Sequence, residues 1–290
     1  MAAGFLLLGC ATLAPMTTTP ASADDAARTD RPRTSSSSGR IHFWQGASLW
    51  LGRSEGRTQW HDHHAHQLAL ALDGDFRFRT EADGPWQVYR GALVPSHRTH
   101  QFEVDGGRLA HFFIEPESRA GRALISRCGG VGGVLALPQA EAEAARLLLV
   151  DALARPLDSG QTVAVAVRAL AALCGAAAEA VAEPAAELDP RLARALAHVR
   201  EHIRQPLTLA AVAAVAHLSE SRFRHLFVAE TGSSFRAYLL WLRINVAIEA
   251  AMAGASWTEA AHEAGFADSA HLTRTHRRMF GIEPSSVRQT

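Results

Sequence analysis

The C-terminal region contains two similar stretches, LTLAAVAAVAHLSESRFRHLFVAETGSS (Leu207–Ser234) and ASWTEAAHEAGFADSAHLTRTHRRMFGIEP (Ala255–Pro284). The matching positions are Val212 with Ala260, Leu218 with Phe266, Phe223 with Leu272, Phe227 with His276, and Gly232 with Gly281. The spacing of apolar residues predicts a short helix, a tight turn and a longer helix in each stretch. A tandem pair of helix-turn-helix units is typical of proteins that read DNA.

Helix-capping residues support these boundaries. Thr208 precedes the first short helix, Asp268 precedes the second long helix, and Ser256 forms a capping box with Glu259. Gly232 is predicted to end the first long helix in a left-handed conformation. The long helix that starts after residue 234 is predicted to join the two units rigidly.

The outer faces of the two long helices carry the candidate DNA contacts. Arginine can donate two hydrogen bonds to guanine in the major groove, so Arg224 and Arg274 are predicted to read bases. The shorter candidates for base reading are Ser221, His225, Ser269, His271 and Thr273. The candidates for phosphate contact are Arg222, Arg236, Arg277 and Arg278. An isolated arginine is more often a solvated surface residue, but polar faces that recur in both units favour DNA contact.

Charge is distributed unevenly, although the formal net charge is zero. Residues 191–290 contain twelve arginines and eight acidic residues, a balance of +4, whereas residues 1–190 have a balance of −4. This asymmetry is expected where only one part of a chain meets phosphates. No lysine occurs, and the three cysteines (Cys10, Cys128 and Cys174) fit no zinc or disulfide framework, which predicts a reducing, cytoplasmic location.

Residues 1–40 are interpreted as a disordered tail or leader because they are rich in Pro, Ser, Thr and Asp. Their Leu-Leu-Gly-Cys run, ending at Cys10, resembles a lipoprotein cleavage box, but no basic residue precedes it. Whether these residues belong to the native protein stays open. No membrane span is predicted, since Arg168 interrupts the best candidate.

Residues 41–137 are predicted to form a small β-barrel. Apolar residues alternate from Leu68 to Leu72, an Asp73-Gly74 turn follows, and alternation resumes at Phe76, which is typical of a hairpin. Further short strands separated by Gly and Pro favour a barrel or jelly roll.

One constellation in this region resembles the two cupin motifs. His61, His63 and Gln67 follow the first motif, with Gln where a Glu is usual, and His100 falls in the second. In metal-binding cupins these positions converge on one ion, and three imidazoles suit a transition metal. Three alternatives stay open: a bound divalent metal, a polar effector pocket without metal, and no ligand. A metal-dependent cupin enzyme is the alternative function.

Residues 138–188 are predicted to form a helical connector, since they are rich in Ala, Leu and Glu without strand punctuation. Two amphipathic helices are expected, with a turn at Pro156–Gly160 and an interdomain linker at residues 183–187. These helices are predicted either to pack within the chain or to form the seam of a homodimer.

The signatures Arg243-Ile244-x-x-Ala247, Gly265-Phe266-x-Asp268-x-x-His271-Leu272-x-Arg274 and Phe280-Gly281-x-x-Pro284 resemble the AraC/XylS family of bacterial transcription regulators. The resemblance covers residues 189–290 closely and most of the chain more loosely. His276 stands where this family usually has a core phenylalanine, and Ala260 where a larger aliphatic residue is usual. These departures predict a less well packed second unit.

The resemblance implies an α+β protein with a cupin-like β-barrel, a helical connector and an all-α domain with two helix-turn-helix units. It also implies a non-enzymatic regulator of transcription, with double-stranded DNA, RNA polymerase and a small effector as partners. One monomer would place two helices about one helical turn, roughly 34 Å, apart in the major groove.

Overall fold

The computed structural model describes residues 35–127, 133–174 and 188–289. The N-terminal part contains β1 (Ser36–Trp44), β2 (Ala47–Arg57), β3 (His66–Ala71), β4 (Phe76–Arg79), β5 (Gln87–Tyr89), β6 (Gly91–Val94), β7 (Gln101–Ile114), α1 (Arg119–Arg127), β8 (Leu135–Ala136), α2 (Gln139–Leu153) and α3 (Ser159–Cys174). The C-terminal part contains α4 (Pro190–Glu201), α5 (Leu209–Val215), α6 (Glu220–Thr231), α7 (Phe235–Met252), α8 (Trp257–Glu263), α9 (Ser269–Phe280), a 3-10 turn (Pro284–Ser286) and β9 (Val287–Gln289).

The strands form one nine-stranded sheet, with β8-β6-β3-β7-β2-β1-β9 as its main order. Strand β7 organises the sheet, because it pairs with β2 along its length and with β3 and β4 at its two ends. These pairs are antiparallel, whereas β9 at the C-terminus pairs with β1 in parallel. The last strand of the helical domain therefore extends the sheet of the N-terminal domain.

Strict alternation gives the sheet two apolar faces. The inner face carries Trp50, Phe78 and Val104, and its residues pack against one another. The outer face carries Leu49, Leu68 and Phe112 among others, and the α2–α3 hairpin covers it. Both predicted connector helices therefore pack on the sheet within the chain.

In the C-terminal domain, helix α7 lies between the two helix-turn-helix units, α5–α6 and α8–α9. Tyr238 and Trp241 of α7 are among the largest fully buried side chains in the described residues. The core of this domain is continuous with Ala65 and with half-buried residues of the sheet, including Ile41 and Phe113. Packing therefore runs from one domain into the other.

The predicted α+β fold and both helix-turn-helix units are confirmed, with the helix caps at the predicted residues. The expected hairpin is wrong: Asp73 and Gly74 lie between β3 and β4, but these strands do not pair with each other. Strand β1 begins before the predicted boundary at residue 41. The leader up to residue 34 and the predicted linker at residues 183–187 lie outside the described residues. Within the described ranges, every helix is too short or too polar to span a bilayer.

Candidate nucleic-acid interface and histidine cluster

Helix α6 presents the first predicted reading face. The Ser219 hydroxyl caps its N-terminus, Gly232 ends it with φ of 69°, and Phe223 and Phe227 anchor it in the core. The predicted contact residues Ser221, Arg222, Arg224 and His225 are all exposed. Arg224 lies 3.6 Å from the exposed carboxylate of Glu220. Solvent screens this ion pair, so a DNA group can take the place of Glu220.

Helix α9 presents the second predicted face. The Asp268 carboxylate accepts a 2.6 Å hydrogen bond from the backbone N–H of His271, and Leu272 is fully buried. Arg274, Arg277 and Arg278 are exposed, while Ser269, His271 and Thr273 are half-buried. Arg274 makes no ion pair with any described residue, which leaves its guanidinium available to a ligand.

Two predicted contacts on α9 have partners within the protein. The Thr273 hydroxyl donates to the carbonyl of Ser269 at 2.8 Å, and Arg277 forms an ion pair with Glu283. DNA contact by either group therefore requires an existing bond to change. Arg236, in the first turn of α7, is exposed.

The predicted metal or effector residues His61, His63 and His100 come together in the sheet domain. One ring nitrogen from each lies within 4.8 Å of those from the other two, and all three side chains are buried. Their ring centroids are between 4.2 and 5.9 Å apart. An isolated bridge between His61 and His100, with backbone bonds of 3.0 and 3.2 Å, joins the two motifs.

Backbone carbonyls fix the orientation of all three rings. Nδ1 of His61 lies 2.9 Å from the oxygen of Gln59, that of His63 lies 2.7 Å from Ala65, and that of His100 lies 2.7 Å from Arg98. Each Nδ1 therefore donates its proton to a backbone carbonyl, which leaves Nε2 of His61 and of His100 with a lone pair, whereas Nε2 of His63 lies against the Gln67 side chain. Metal-bound histidines are commonly held in this way. Nε2 of His100 is buried and has no hydrogen-bond partner among the described residues.

Gln67 lies beside this triad and connects it to His111, which the motif comparison did not identify. The Gln67 side chain lies 3.1 Å from Nε2 of His63 and 2.7 Å from Nδ1 of His111. The alternation of β7 could have identified His111, because it shares the inner-face parity of Leu109. Desolvation by burial, followed by the charge of His63, lowers the pKa of His61 to about 3 and that of His111 to about 4. Both are therefore neutral at pH 7, the form that binds metals.

Two further histidines form a polar contact between the domains that sequence reasoning did not assign. Nδ1 of His64 lies 2.8 Å from the hydroxyl of Ser233, just after α6, and its Nε2 lies 2.9 Å from the carboxylate of Glu117. Nε2 of His97 also lies 2.7 Å from the Ser233 hydroxyl. His97 has φ of 59°, which L side chains rarely adopt, and its N–H donates to the carbonyl of His63.

The C-terminal end of α9 contacts the segment that holds the triad. The N–H of Gln59 donates to the carbonyl of Gly281 at 2.7 Å. Gly281 has φ of 69°, and a Cβ there would lie 2.5 Å from the Gln59 carbonyl oxygen and 2.6 Å from Nδ1 of His61. This close approach requires glycine.

Comparisons with known proteins agree with this architecture. A helix-turn-helix domain family matches residues 212–290. ToxT from Vibrio cholerae O395 is 10% identical, with a TM-score of 0.55 over 83% of this chain and 96% of that chain. Apo ToxT from Vibrio cholerae strain SCE256 is 9% identical, with a TM-score of 0.53 over 88% and 97%. A Chromobacterium violaceum transcriptional regulator with an AraC-type DNA-binding domain is 27% identical over 33% of this chain and 87% of its own, with a TM-score of 0.32. No curated protein matches the chain.

The family match confirms the predicted helix-turn-helix domain, and the likeness to ToxT confirms the α+β fold over most of the chain. The description of the first domain as a cupin-like barrel stays a prediction, as do the individual site residues.

Proposed function

We infer that this chain, a helix-turn-helix protein of the AraC/XylS type, is a sequence-specific DNA-binding transcription regulator. The observation that carries this inference is the pair of capped helices α6 and α9, each anchored by buried apolar residues and each exposing arginine on its outer face. Docking against the sheet leaves Arg224 and Arg274 exposed, so both helices can meet DNA in this arrangement. The positive balance of residues 191–290 favours the same partner.

Substitution of Arg274 tests base reading directly. Arg274→Ala is expected to weaken specific binding by about 1–3 kcal/mol and to relax the preference at one base position, because a bidentate guanine contact is lost. The operator is first obtained by selecting genomic fragments that bind the purified chain. Arg194→Ala, at an exposed arginine of α4 away from both reading faces, is the matched control. Equal losses on operator and random DNA would assign Arg274 to phosphate contact, and no operator selection at all would overturn the function.

We propose that the regulator acts in the cytoplasm as a homodimer. We also propose that the DNA-bound homodimer contacts RNA polymerase. Three of the four large apolar side chains that are most exposed in the described residues, Leu147, Leu153 and Val167, lie on the α2–α3 hairpin. This hairpin buries one side on the sheet, so its other side is available to a second copy. Sedimentation of the wild-type chain and of Leu147→Glu distinguishes dimer from monomer, and the variant is expected to shift toward the monomer. A wild-type monomer at micromolar concentration would count against the dimer.

Divalent transition-metal binding is a second candidate property, and the unpartnered Nε2 of His100 favours it. The residues present fit such an ion: His61, His63 and His100 offer three neutral imidazoles, oriented by backbone carbonyls. A bound ion would supply a Lewis acid, or only a crosslink within the domain. The regulator is preferred over a metal-dependent enzyme because the exposed arginine faces have no use in such an enzyme.

Titration with Co²⁺, followed by its visible absorption, tests the metal site. We expect one equivalent to bind to the full chain and His100→Ala to abolish it, while His262→Ala, at an exposed histidine of α8, binds normally. Equal Co²⁺ binding by His100→Ala and His262→Ala, or no Co²⁺ binding by the wild type, would contradict the metal site. Neither result would bear on the proposed DNA binding.

A further inference from the structure

Helix α6 carries an exposed apolar side chain in the middle of its predicted reading face. Val228 is 49% exposed, which places it among the four most exposed large apolar side chains of the described residues. The other three, Leu147, Leu153 and Val167, lie on the α2–α3 hairpin. An exposed valine by itself is common on a protein surface, so the position of Val228 on its helix is what distinguishes it.

Helical spacing fixes that position. Residues that are three, four and seven apart lie on one face of an α-helix. Val228 is seven residues after Ser221, four after Arg224 and three after His225, and all three of these side chains are exposed. Val228 thus belongs to the same stripe as the predicted base-reading residues of α6. When this stripe faces the bases in the major groove, Val228 faces them too.

The second unit has a different residue at the matched position. Val228 matches Arg277 of α9, because Gly232 and Gly281, which end the two helices, each follow four residues later. Arg277 is exposed and forms an ion pair with Glu283. The first unit therefore presents an apolar group where the second presents a cation.

The chemistry of the major groove selects the group that Val228 can contact. A valine side chain neither donates nor accepts a hydrogen bond, so it cannot read the polar edge of a base. The C5-methyl of thymine is the apolar group that base pairs present in this groove, and burial of apolar surface against it is favourable. A protein partner is disfavoured, because it would desolvate the neighbouring Arg224 guanidinium, whereas DNA offers that group phosphates and guanine.

We propose that Val228 is a further specificity-determining residue of the first unit, and that it contacts the C5-methyl group of a thymine in the major groove. This contact rests on the proposed DNA-reading function and adds an apolar readout to the polar readout by Arg224. The part of the operator that α6 binds then contains a thymine whose methyl group contributes to affinity.

Replacement of single thymines by uracil tests this contact, because uracil pairs with adenine in the same way and lacks only the C5-methyl group. The operator is obtained by genomic selection, and each of its thymines is replaced in turn. With the wild-type chain, one replacement is expected to raise the Kd about three- to tenfold, since burial of one methyl-sized group accounts for roughly fourfold. Val228→Ala is expected to bind the thymine operator more weakly by a similar factor and to lose the discrimination between thymine and uracil at that position alone.

Val167→Ala is the matched control, because it truncates the same type of side chain at 47% exposure on α3 of the sheet domain. Its ratio of Kd values for the uracil and thymine operators is expected to equal that of the wild type at every position. Val228→Arg, which copies the second unit, is expected to lose the thymine preference and to bind random DNA more tightly, because an added arginine attracts phosphates.

Three results would overturn the contact: no uracil effect with the wild type, every wild-type uracil effect retained by Val228→Ala, or DNA binding by Val228→Ala equal to that of the wild type. A uniform loss of affinity in Val228→Ala would assign the side chain to the sugar-phosphate backbone. Normal DNA binding with impaired transcription would assign it to a protein partner. In each of these cases the selected operator still supports the proposed function, whereas failure to select any operator would overturn the function and the contact together.

Discussion

The two helix-turn-helix units have the same backbone plan but different cores. In the first unit, Phe223 and Phe227 pack against Phe235 and Tyr238, with ring centroids 5.3 to 6.0 Å apart. The second unit has Ala260, Leu272, His276 and Met279 at its centre. Aromatic rings therefore fill the first unit, whereas the second has smaller side chains at three matched positions, Ala260, Leu272 and His276, and a larger one at Phe266.

The sheet domain supplies what the second unit lacks. Phe280 at the end of α9 packs edge-on against Phe113 of β7 at 5.5 Å, and β9 pairs with β1. His276, at the position predicted to loosen this unit, is 3% exposed, and its Nδ1 lies 2.9 Å from the carbonyl of Ile282, so looser packing of the second unit stays a prediction. The comparison teaches that the first unit is held mainly by its own core and the second depends more on docking.

The largest expected effect comes from emptying the first core. Phe223→Ala should lower the free energy of unfolding by about 3–5 kcal/mol, since the ring is fully buried and its removal leaves a cavity. Val228→Ala, on the exposed face of the same helix, is the control. Urea unfolding measures both. A loss below about 1 kcal/mol for Phe223→Ala would mean that this core is not the main support of the first unit.

Substitutions at a matched pair of glycines measure how much the contact between the second unit and the sheet domain contributes to stability. Gly232 and Gly281 end α6 and α9 with the same φ of 69°, but a Cβ meets nothing within 4 Å at Gly232 and the Gln59 carbonyl at Gly281. Gly232→Ala should cost about 1–2 kcal/mol from the left-handed backbone alone. Gly281→Ala should cost about 1–3 kcal/mol more, because the new methyl group overpacks the contact.

Amide hydrogen exchange locates this difference. In Gly281→Ala the protection of Gln59 and of β9 should fall, while Gly232→Ala leaves both unchanged. Equal stability and equal exchange in the two variants would show that the second unit does not depend on this contact.

The last predicted effect depends on pH and concerns the buried histidine of the second unit. Burial lowers the pKa of His276 to about 4, although the Ile282 carbonyl and the charge of Glu283 oppose the shift. The folded state thus keeps His276 neutral where the unfolded chain binds a proton, so stability is complete above pH 6.5 and falls as the pH drops from 6.5 toward 4. Between pH 7.5 and 5 this group accounts for a loss of about 2 kcal/mol.

His276→Phe removes this contribution but keeps a ring at the same position. Urea unfolding at pH 7.5 and pH 5 should therefore show a pH-dependent loss smaller by about 2 kcal/mol than in the wild type. Other buried histidines account for the remaining dependence of stability on pH. The same loss in both proteins would indicate that His276 is already protonated in the folded state or exposed to solvent.

Local signals were sufficient for the helical domain. Its caps at Thr208, Ser256 and Asp268 and its glycine stop at Gly232 depend on neighbouring residues only, so they can be recognised in the chain. The convergence of His61, His63 and His100 was implied by the resemblance to the cupin motifs. The strand pairing around Asp73-Gly74 could not be predicted from local signals, because β4 pairs with β7, which lies more than twenty residues further along the chain.

The sequence by itself determined two helix-turn-helix units with arginine on their outer faces and a histidine-bearing strand region before them, because periodicity and capping act over a few residues. Only the tertiary structure decided how the units differ. The His64–Ser233 contact and the approach of Gly281 to Gln59 each join residues far apart in the chain. Such contacts depend on the shapes of two packed surfaces, which no local pattern specifies.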